Sequence, residues 1–288
     1  MKRLMILVLV LLSTVFFVSK TVLAADSITI LYESMSKPDP KLIMDWGYAA
    51  LIEYNGKRIL FDAGREPAIL ENNVKALGID LTKLDAVIFS HRHHDHTVGA
   101  EYLFKVNPDV KVYAAKDPHF GGAMPKSFFK KESSLPVEMQ YFGGNPPDKI
   151  QRHNYMPYEN ITTIGKVTEI FPGFFLVPNK SYVGEEISLH INTPEGQIVV
   201  TGCAHPGIEA ILESSKDIDP RIHFVIGGLH WVPKNKEEIE TLTASLHDKW
   251  QAKWVASAHC TGELGTATLM RVFGDHYVYA GLGTTIEL

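Results

Sequence analysis

One run of residues restricts this chain more than any other. Ser90-His91-Arg92-His93-His94-Asp95-His96 follows directly on Leu84 to Phe89, a short apolar stretch with the character of a buried strand. Imidazole is the commonest metal ligand near neutral pH, and a carboxylate adds charge. His91 and His93 are two apart, so in an extended loop they point the same way and can share one ion. Asp95 and His96 come where the chain turns toward a helix, and they can reach a second ion nearby. Two ions about 3.5–4 Å apart can hold a hydroxide between them. The bland alternative is a solvated His-rich loop. Such a loop has no need of four ligand-type residues set on a strand end.

Three further strands end in the same way. Gln197 to Thr201 runs into Gly202-Cys203-Ala204-His205, Ile222 to Ile226 into Gly227-Gly228-Leu229-His230, and Trp254 to Ser257 into Ala258-His259-Cys260. Layered α/β proteins gather their sites at strand C-termini. The rest of the chain alternates accordingly. Ser27 to Glu33 is β-rich, and Ala49 to Tyr54, Asn55-Gly56 and Arg58 to Phe61 read as a hairpin closed by Asp62-Ala63-Gly64. Strands are also expected at Val110 to Ala115, Thr162 to Phe171, Phe174 to Val177, Ile187 to Asn192 and Tyr277 to Ala280. Helices are expected at Pro67 to Leu77, Gly207 to Ser215, Lys236 to Trp250 and Thr266 to Phe273. Between about 116 and 160 the periodicity fails among Gly and Pro pairs and aromatics, which reads as a lid-like excursion. No linker divides the chain, so residues 26–288 read as a single domain.

The N-terminus is a separate matter. Lys2 and Arg3 precede an apolar run from Leu4 to Val18, and Val22-Leu23-Ala24-Ala25 suits cleavage. Residues 1–25 therefore read as a signal peptide, with an uncleaved anchor as the alternative. The mature protein is then expected to be periplasmic or secreted, with no stable membrane insertion. Net charge is −5 and no basic tract exceeds Lys130-Lys131, which argues against a nucleic-acid partner. Only Cys203 and Cys260 are present, too few for a disulfide scaffold, although one bridge is open to them.

The motifs carry a family resemblance. His91-x-His93-x-Asp95-His96 resembles the HxHxDH signature of the metallo-β-lactamase superfamily, and Asp62-Ala63-Gly64 is similar to the aspartate loop upstream of it. The four motifs in order look most like the 7,8-dihydropterin-6-methyl-4-(β-D-ribofuranosyl)-aminobenzene 5'-phosphate synthase-like branch. The resemblance implies an α/β layered fold, an αββα sandwich of two mixed sheets flanked by helices, with the site at one edge. It also implies metal ligands. Superfamily members place a His before the fourth-motif strand and a bridging Asp after it. No such His stands near Tyr182 to Glu186, and Cys203 occupies the Asp-like position. His205 is expected to supply the missing imidazole. One ion is then assigned to His91, His93 and His205, and the other to Asp95, His96 and His259. Cys203 is a candidate thiolate ligand, or a small residue in a tight turn. Cys260 is expected to point away and pack. Asp62 is expected to orient a ligand histidine, and Gly227-Gly228 to admit something bound close to the backbone.

The expected activity is that of an exported metal-dependent hydrolase. A metal-bound hydroxide would attack a small ester-type substrate, with a phosphoester or lactone favoured. Zinc is the default for the two divalent ions, and iron or manganese also suits the ligands. Asp95 would hold the nucleophile in line and His230 would protonate the leaving group. Lys126, Ser127 and Lys130 would contact an anionic small-molecule substrate, or form a solvated basic loop. The alternatives are a transferase of the synthase type and a non-catalytic metal- or ligand-binding protein.

Overall fold

Period-two alternation builds both layers of the molecule. The computed structural model describes residues 25–116, 124–125, 132, 134–147, 149–150 and 161–288. All but the last residue of the expected signal peptide, and most of the expected excursion, lie outside them. Chain order runs β1 (Ser27–Tyr32), β2 (Ala49–Tyr54), β3 (Lys57–Phe61), α1 (Pro67–Ala76), β4 (Ala86–Phe89), α2 (Ala100–Val106) and β5 (Val112–Ala115). It continues through the two-residue β6 (Met124–Pro125) and β7 (Lys149–Ile150) to β8 (Ile161–Ile164), β9 (Thr168–Phe171), β10 (Phe174–Ser181), β11 (Gly184–Thr193) and β12 (Gly196–Thr201). Then come α3 (Ile208–Ser215), β13 (Ile222–Gly227), α4 (Lys236–Ala244), β14 (Trp254–Ser257), α5 (Glu263–Phe273) and β15 (Thr285–Glu287).

The first sheet has the order β15-β1-β2-β3-β4-β5-β8 and the second β14-β13-β12-β11-β10-β9. Both are mixed: β3, β4, β5 and β8 run parallel in one, and β12, β13 and β14 in the other. Ile28, Ile30, Ile52, Ile59, Phe61 and Ile88 of the first sheet face Leu189, Ile191, Ile198, Val200, Phe224 and Ile226 of the second. The residues between them point outward. Leu51, Leu60, Val87 and Phe89 pack on α1 and α2, and Val199, Val225 and Val255 pack under α3, α4 and α5. This is the four-layer α/β sandwich that the sequence implies. Each buried Leu, Ile, Val or Phe contributes about 1.5–3 kcal/mol. The layers therefore carry the stability, and the loops at their ends can hold strained shapes.

Local chemistry explains most boundaries. Asn55 and Gly56 both take positive φ, as a two-residue hairpin of this type requires. β10 continues past the expected stop at Val177 and through Pro178. Its pairing to β9 ends at Leu176, so the missing N–H of Pro178 faces an open edge. The expected strand Thr162 to Phe171 is two strands, β8 in one sheet and β9 in the other. Tyr277 to Ala280 is not a strand and makes a single bridge to Val255. The closing strand is β15, whose short sequence gives no periodic signal. Among the described residues no helix is long and apolar enough to cross a membrane.

One buried histidine on the outer face of the second sheet makes a measurable prediction. His190 is fully buried, with Nδ1 2.8 Å from Gln197 Oε1 and Nε2 2.8 Å from Ser188 Oγ. Burial lowers its pKa from 6.5 to about 4, against the opposing bond from Gln197. The folded value lies below the unfolded one. Its contribution to stability is therefore complete above pH 6.5 and is lost as the pH falls toward 4. Wild type should lose on the order of 3 kcal/mol more than His190→Gln across that window. Urea midpoints at stepped pH would read this, and parallel pH profiles for the two proteins would refute it.

Candidate metal centre

The C-terminal ends of β3 and β4 in one sheet meet those of β12, β13 and β14 in the other. Asp62, directly after β3, is wholly buried and organises the first sheet's share. Its Oδ1 accepts the Ser90 N–H (2.7 Å), and its Oδ2 accepts the Ser90 hydroxyl (2.7 Å). His96 Nδ1 lies 2.7 Å from the same Oδ2, and His91 Nδ1 lies 2.8 Å from Ser90 Oγ. These partners assign the proton to Nδ1 in both rings, so each Nε2 lone pair points into the centre. Burial would depress the His96 imidazole, but the Asp62 and Asp95 carboxylates lift it to about 9, so a cation taking its Nε2 would displace a proton from that nitrogen. Burial and the neighbouring imidazoles push His91 well below the usual histidine range.

The second sheet supplies the other half through a residue that sequence reasoning missed. Glu186 is buried on β11 beneath the 203–205 loop. Its Oε1 accepts the N–H groups of Cys203 (3.1 Å) and Ala204 (2.7 Å), and its Oε2 that of His205 (2.9 Å). Oε2 also lies 2.8 Å from His205 Nδ1, which fixes that ring with Nε2 turned inward. Burial would raise the Glu186 carboxyl, but His205 and these N–H groups hold it down at about 2. Glu33, at the end of β1, does similar work for the 259 loop. It accepts the His259 N–H at 2.6 Å and, through its other oxygen, the Ser34 N–H at 2.7 Å. Tyr141 clamps the same loop, donating its hydroxyl proton to the His259 carbonyl and accepting the Gly262 N–H at 2.8 Å. An acid closing an apolar strand is a readable signal for Glu33, the same one that singles out Asp62. For Glu186 the only hint is a charge inside a strand otherwise destined for burial.

Each expected ligand set is brought together. The ligand atoms of His91, His93 and His205 lie within 4.8 Å of one another, as do those of Asp95, His96 and His259. His91 Nε2 and His93 Nδ1 are 2.9 Å apart, and His96 Nε2 and His259 Nε2 3.2 Å. Two ligands bound at about 2.0–2.1 Å to one tetrahedral ion sit roughly 3.3 Å apart, so this donor set fits a cation between its rings. Asp95 Oδ2 is 3.5 Å from His259 Nε2 and 3.9 Å from His96 Nε2. Burial alone would raise the Asp95 carboxyl, but His96 and His259 hold it well below the usual range.

Cys203 stands between the two sets, its Sγ 3.3 Å from His96 Nε2, and burial pushes its thiol up. Cys260 does not point away as expected. Its Sγ is 3.6 Å from the Cys203 carbonyl and falls within 4.8 Å of the Cys203 and His259 ligand atoms. The tight turn at His259, with φ of 50°, swings the next side chain back toward the centre. Both thiols are free and buried. His230 lies on the second sheet's side, with a ligand nitrogen within 4.8 Å of those of Cys203 and His205. Lys126, Ser127 and Lys130 lie outside the described residues.

Close approach and strain mark this edge. A Cβ on Gly202 would fall on Ser90 and lie 2.7 Å from Asp62 Oδ2, so the second sheet's loop packs directly on the Ser90 and Asp62 side chains of the first and leaves no room for a side chain of its own. Gly228 accommodates the chain's own backbone and not a bound group: its Cβ would strike the Gly202 carbonyl and lie 2.9 Å from Cys260 Sγ. Asp62, Ala204, His230 and His259 all hold left-handed φ of 50–58°. Such strain clusters at functional sites.

The chain belongs to the metallo-beta-lactamase superfamily, whose profile it matches over residues 47–250. Among curated relatives it is 29% identical over 262 residues to the 7,8-dihydropterin-6-methyl-4-(beta-D-ribofuranosyl)-aminobenzene-5'-phosphate synthase of Methanocaldococcus jannaschii, covering 82% of this chain and 87% of that one. Among solved structures it resembles Tm1679, a metal-dependent hydrolase of the beta-lactamase superfamily, with a TM-score of 0.69 at 23% identity over 91% of this chain and 99% of that one. It also resembles a diphosphatase of the PhnP family, with a TM-score of 0.51 at 15% identity over 91% and 97% of the two chains.

Proposed function

We propose that this protein is a metal-dependent hydrolase of a small ester-type substrate, with a phosphoester or lactone favoured. The observation that carries the reading is the pair of ligand trios, His91/His93/His205 and Asp95/His96/His259. Two divalent ions, zinc by default, would be held there, with Cys203 as a further ligand. Such ions supply Lewis acidity: they lower the pKa of water and stabilise negative charge on oxygen. The chain's own residues do the positioning. Asp62 and Glu186 hold three imidazoles with Nε2 inward, and Asp95 presents a buried carboxylate that can orient an attacking water. His230, beside His205 and bonded to the Tyr182 hydroxyl at 2.8 Å, stands where it can protonate a leaving group. The apolar run behind Lys2 and Arg3 supports export, and the mature N-terminus read by mass spectrometry tests it.

A second reading rests on the likeness to the methanogen synthase: a transferase that turns over only with a second substrate. Elemental analysis of the purified protein, paired with chromogenic phosphodiester, lactone and cephalosporin substrates, separates the two. About two equivalents of metal are expected, with turnover of the phosphodiester or lactone that a chelator abolishes. Bound metal without turnover on any of the three would move the assignment to the transferase or to a non-catalytic metal-binding protein.

A further inference from the structure

A hollow of about 580 Å³ lies at the end of the sandwich remote from the metal centre. It opens between the edge strands of the two sheets, β14 and β15, and Val278 and Tyr279 form part of its wall. His223 stands near the start of β13 and Gly227 at its end, about 13 Å further on, where the metal centre begins. We propose that this hollow is a binding site for a small, uncharged, flat molecule with an apolar ring body and one hydrogen-bonding atom. The site is separate from the metal cluster and stands whether or not that cluster hydrolyses an ester.

Three observations carry the assignment. The first is the wall. Phe224, Trp254 and Tyr279 line it together with Val278 and Ile286, and its volume falls within the ~300–1,000 Å³ of small-molecule sites. Phe224 and Ile286 belong to the core between the sheets, so the hollow continues that core to the open edge. The second is a break in register. Gln197 lies opposite Ile222 and Ile198 opposite Phe224, which leaves His223 unpaired in the ladder. A bulge of this kind re-aims a side chain. Regular alternation would set His223 and Phe224 on opposite faces, yet both line the hollow. The third is the state of that imidazole. Its Nδ1 is buried and has no hydrogen-bond partner among the described residues. An apolar side chain would close the edge without an unpaired nitrogen, so packing does not account for a histidine here. The surroundings set the charge of the ligand. Burial, and then the Lys253 ammonium, lower the pKa of His223, so the ring is neutral near pH 7. The charged side chains that line the hollow, Lys37 and Glu287, are opposite in sign and both exposed. A charged ligand would find no buried counter-ion among the described residues of the wall. An uncharged ring would gain aromatic contact and give Nδ1 a partner.

Indole is the probe: it is flat, uncharged and carries a single N–H. Calorimetric titration into wild type, Val278→Phe, His223→Leu and His93→Ala reads the site, with thermal unfolding run on each protein. Wild type should bind at millimolar concentration or below. Val278→Phe fills the hollow from its wall, so binding should fall at least about tenfold. His223→Leu keeps the wall apolar and removes the nitrogen, so binding should fall about fivefold. His93→Ala alters only the metal cluster and should bind within about twofold of wild type. Should Val278→Phe fail to fold, His223→Leu makes the same decision. Wild type that binds no indole at millimolar concentration would overturn the proposal. So would binding undiminished in Val278→Phe or in His223→Leu, or a loss in His93→Ala as large as theirs, since the seat would then lie elsewhere.

Discussion

His93→Ala should fold normally and lose turnover on the order of a thousandfold, together with its share of bound metal. His93 is half-buried at the rim of the centre, so its truncation opens no cavity between the sheets. Its Nδ1 nevertheless faces His91 Nε2 at 2.9 Å, and removing it leaves one trio with two ligands. Thermal unfolding, elemental analysis and turnover measured on one preparation would test this together. A folded variant with full turnover would show that the first trio does not hold a catalytic ion.

Glu186→Ala should cost more in stability than any single ligand substitution, about 3–5 kcal/mol. One carboxylate accepts three successive backbone N–H groups and faces the His205 ring, all in a site that water does not reach. Truncation strands those donors, and the 203–205 loop has no other anchor of that strength. His205 would lose its fixed orientation, so metal affinity should fall by about 10–100-fold as well. Glu186→Gln should recover part of the stability, because it keeps one acceptor oxygen but sets an NH₂ where a second acceptor is needed. Urea midpoints should fall in the order wild type, Glu186→Gln, Glu186→Ala. Equal midpoints for all three proteins would refute the role.

The layers and most of the cluster are legible in the sequence because they obey simple periods. Short, nearly unbroken apolar runs in β2, β3, β12 and β13 announce sheets buried on both faces. A ligand run at the end of an apolar strand announces where the metal chemistry sits. The supporting residues are harder to see because their work depends on contacts distant in sequence. Glu186 acts on residues 203–205 from the neighbouring strand, and Glu33 reaches His259 from the opposite sheet. Neither forms a motif. The expectation for Cys260 fails because strand alternation does not extend past the end of β14, where the chain enters a turn. Gly227-Gly228 does mark a close approach, but the partner is the chain itself.

The seam at Gly202, where the second layer packs directly on Ser90 and Asp62 of the first, makes the site a vernier for the whole sandwich. His91, His93, Asp95 and His96 belong to one sheet and Cys203, His205 and His259 to the other, so neither sheet carries a complete set. A slip of one residue is about 3.3 Å, as large as the separation between facing ring nitrogens. Such a slip would leave every ladder within each sheet intact and the far-ultraviolet spectrum unchanged, yet no trio would survive it. Metal retention therefore reports the relative registration of the two layers more finely than any probe of secondary structure.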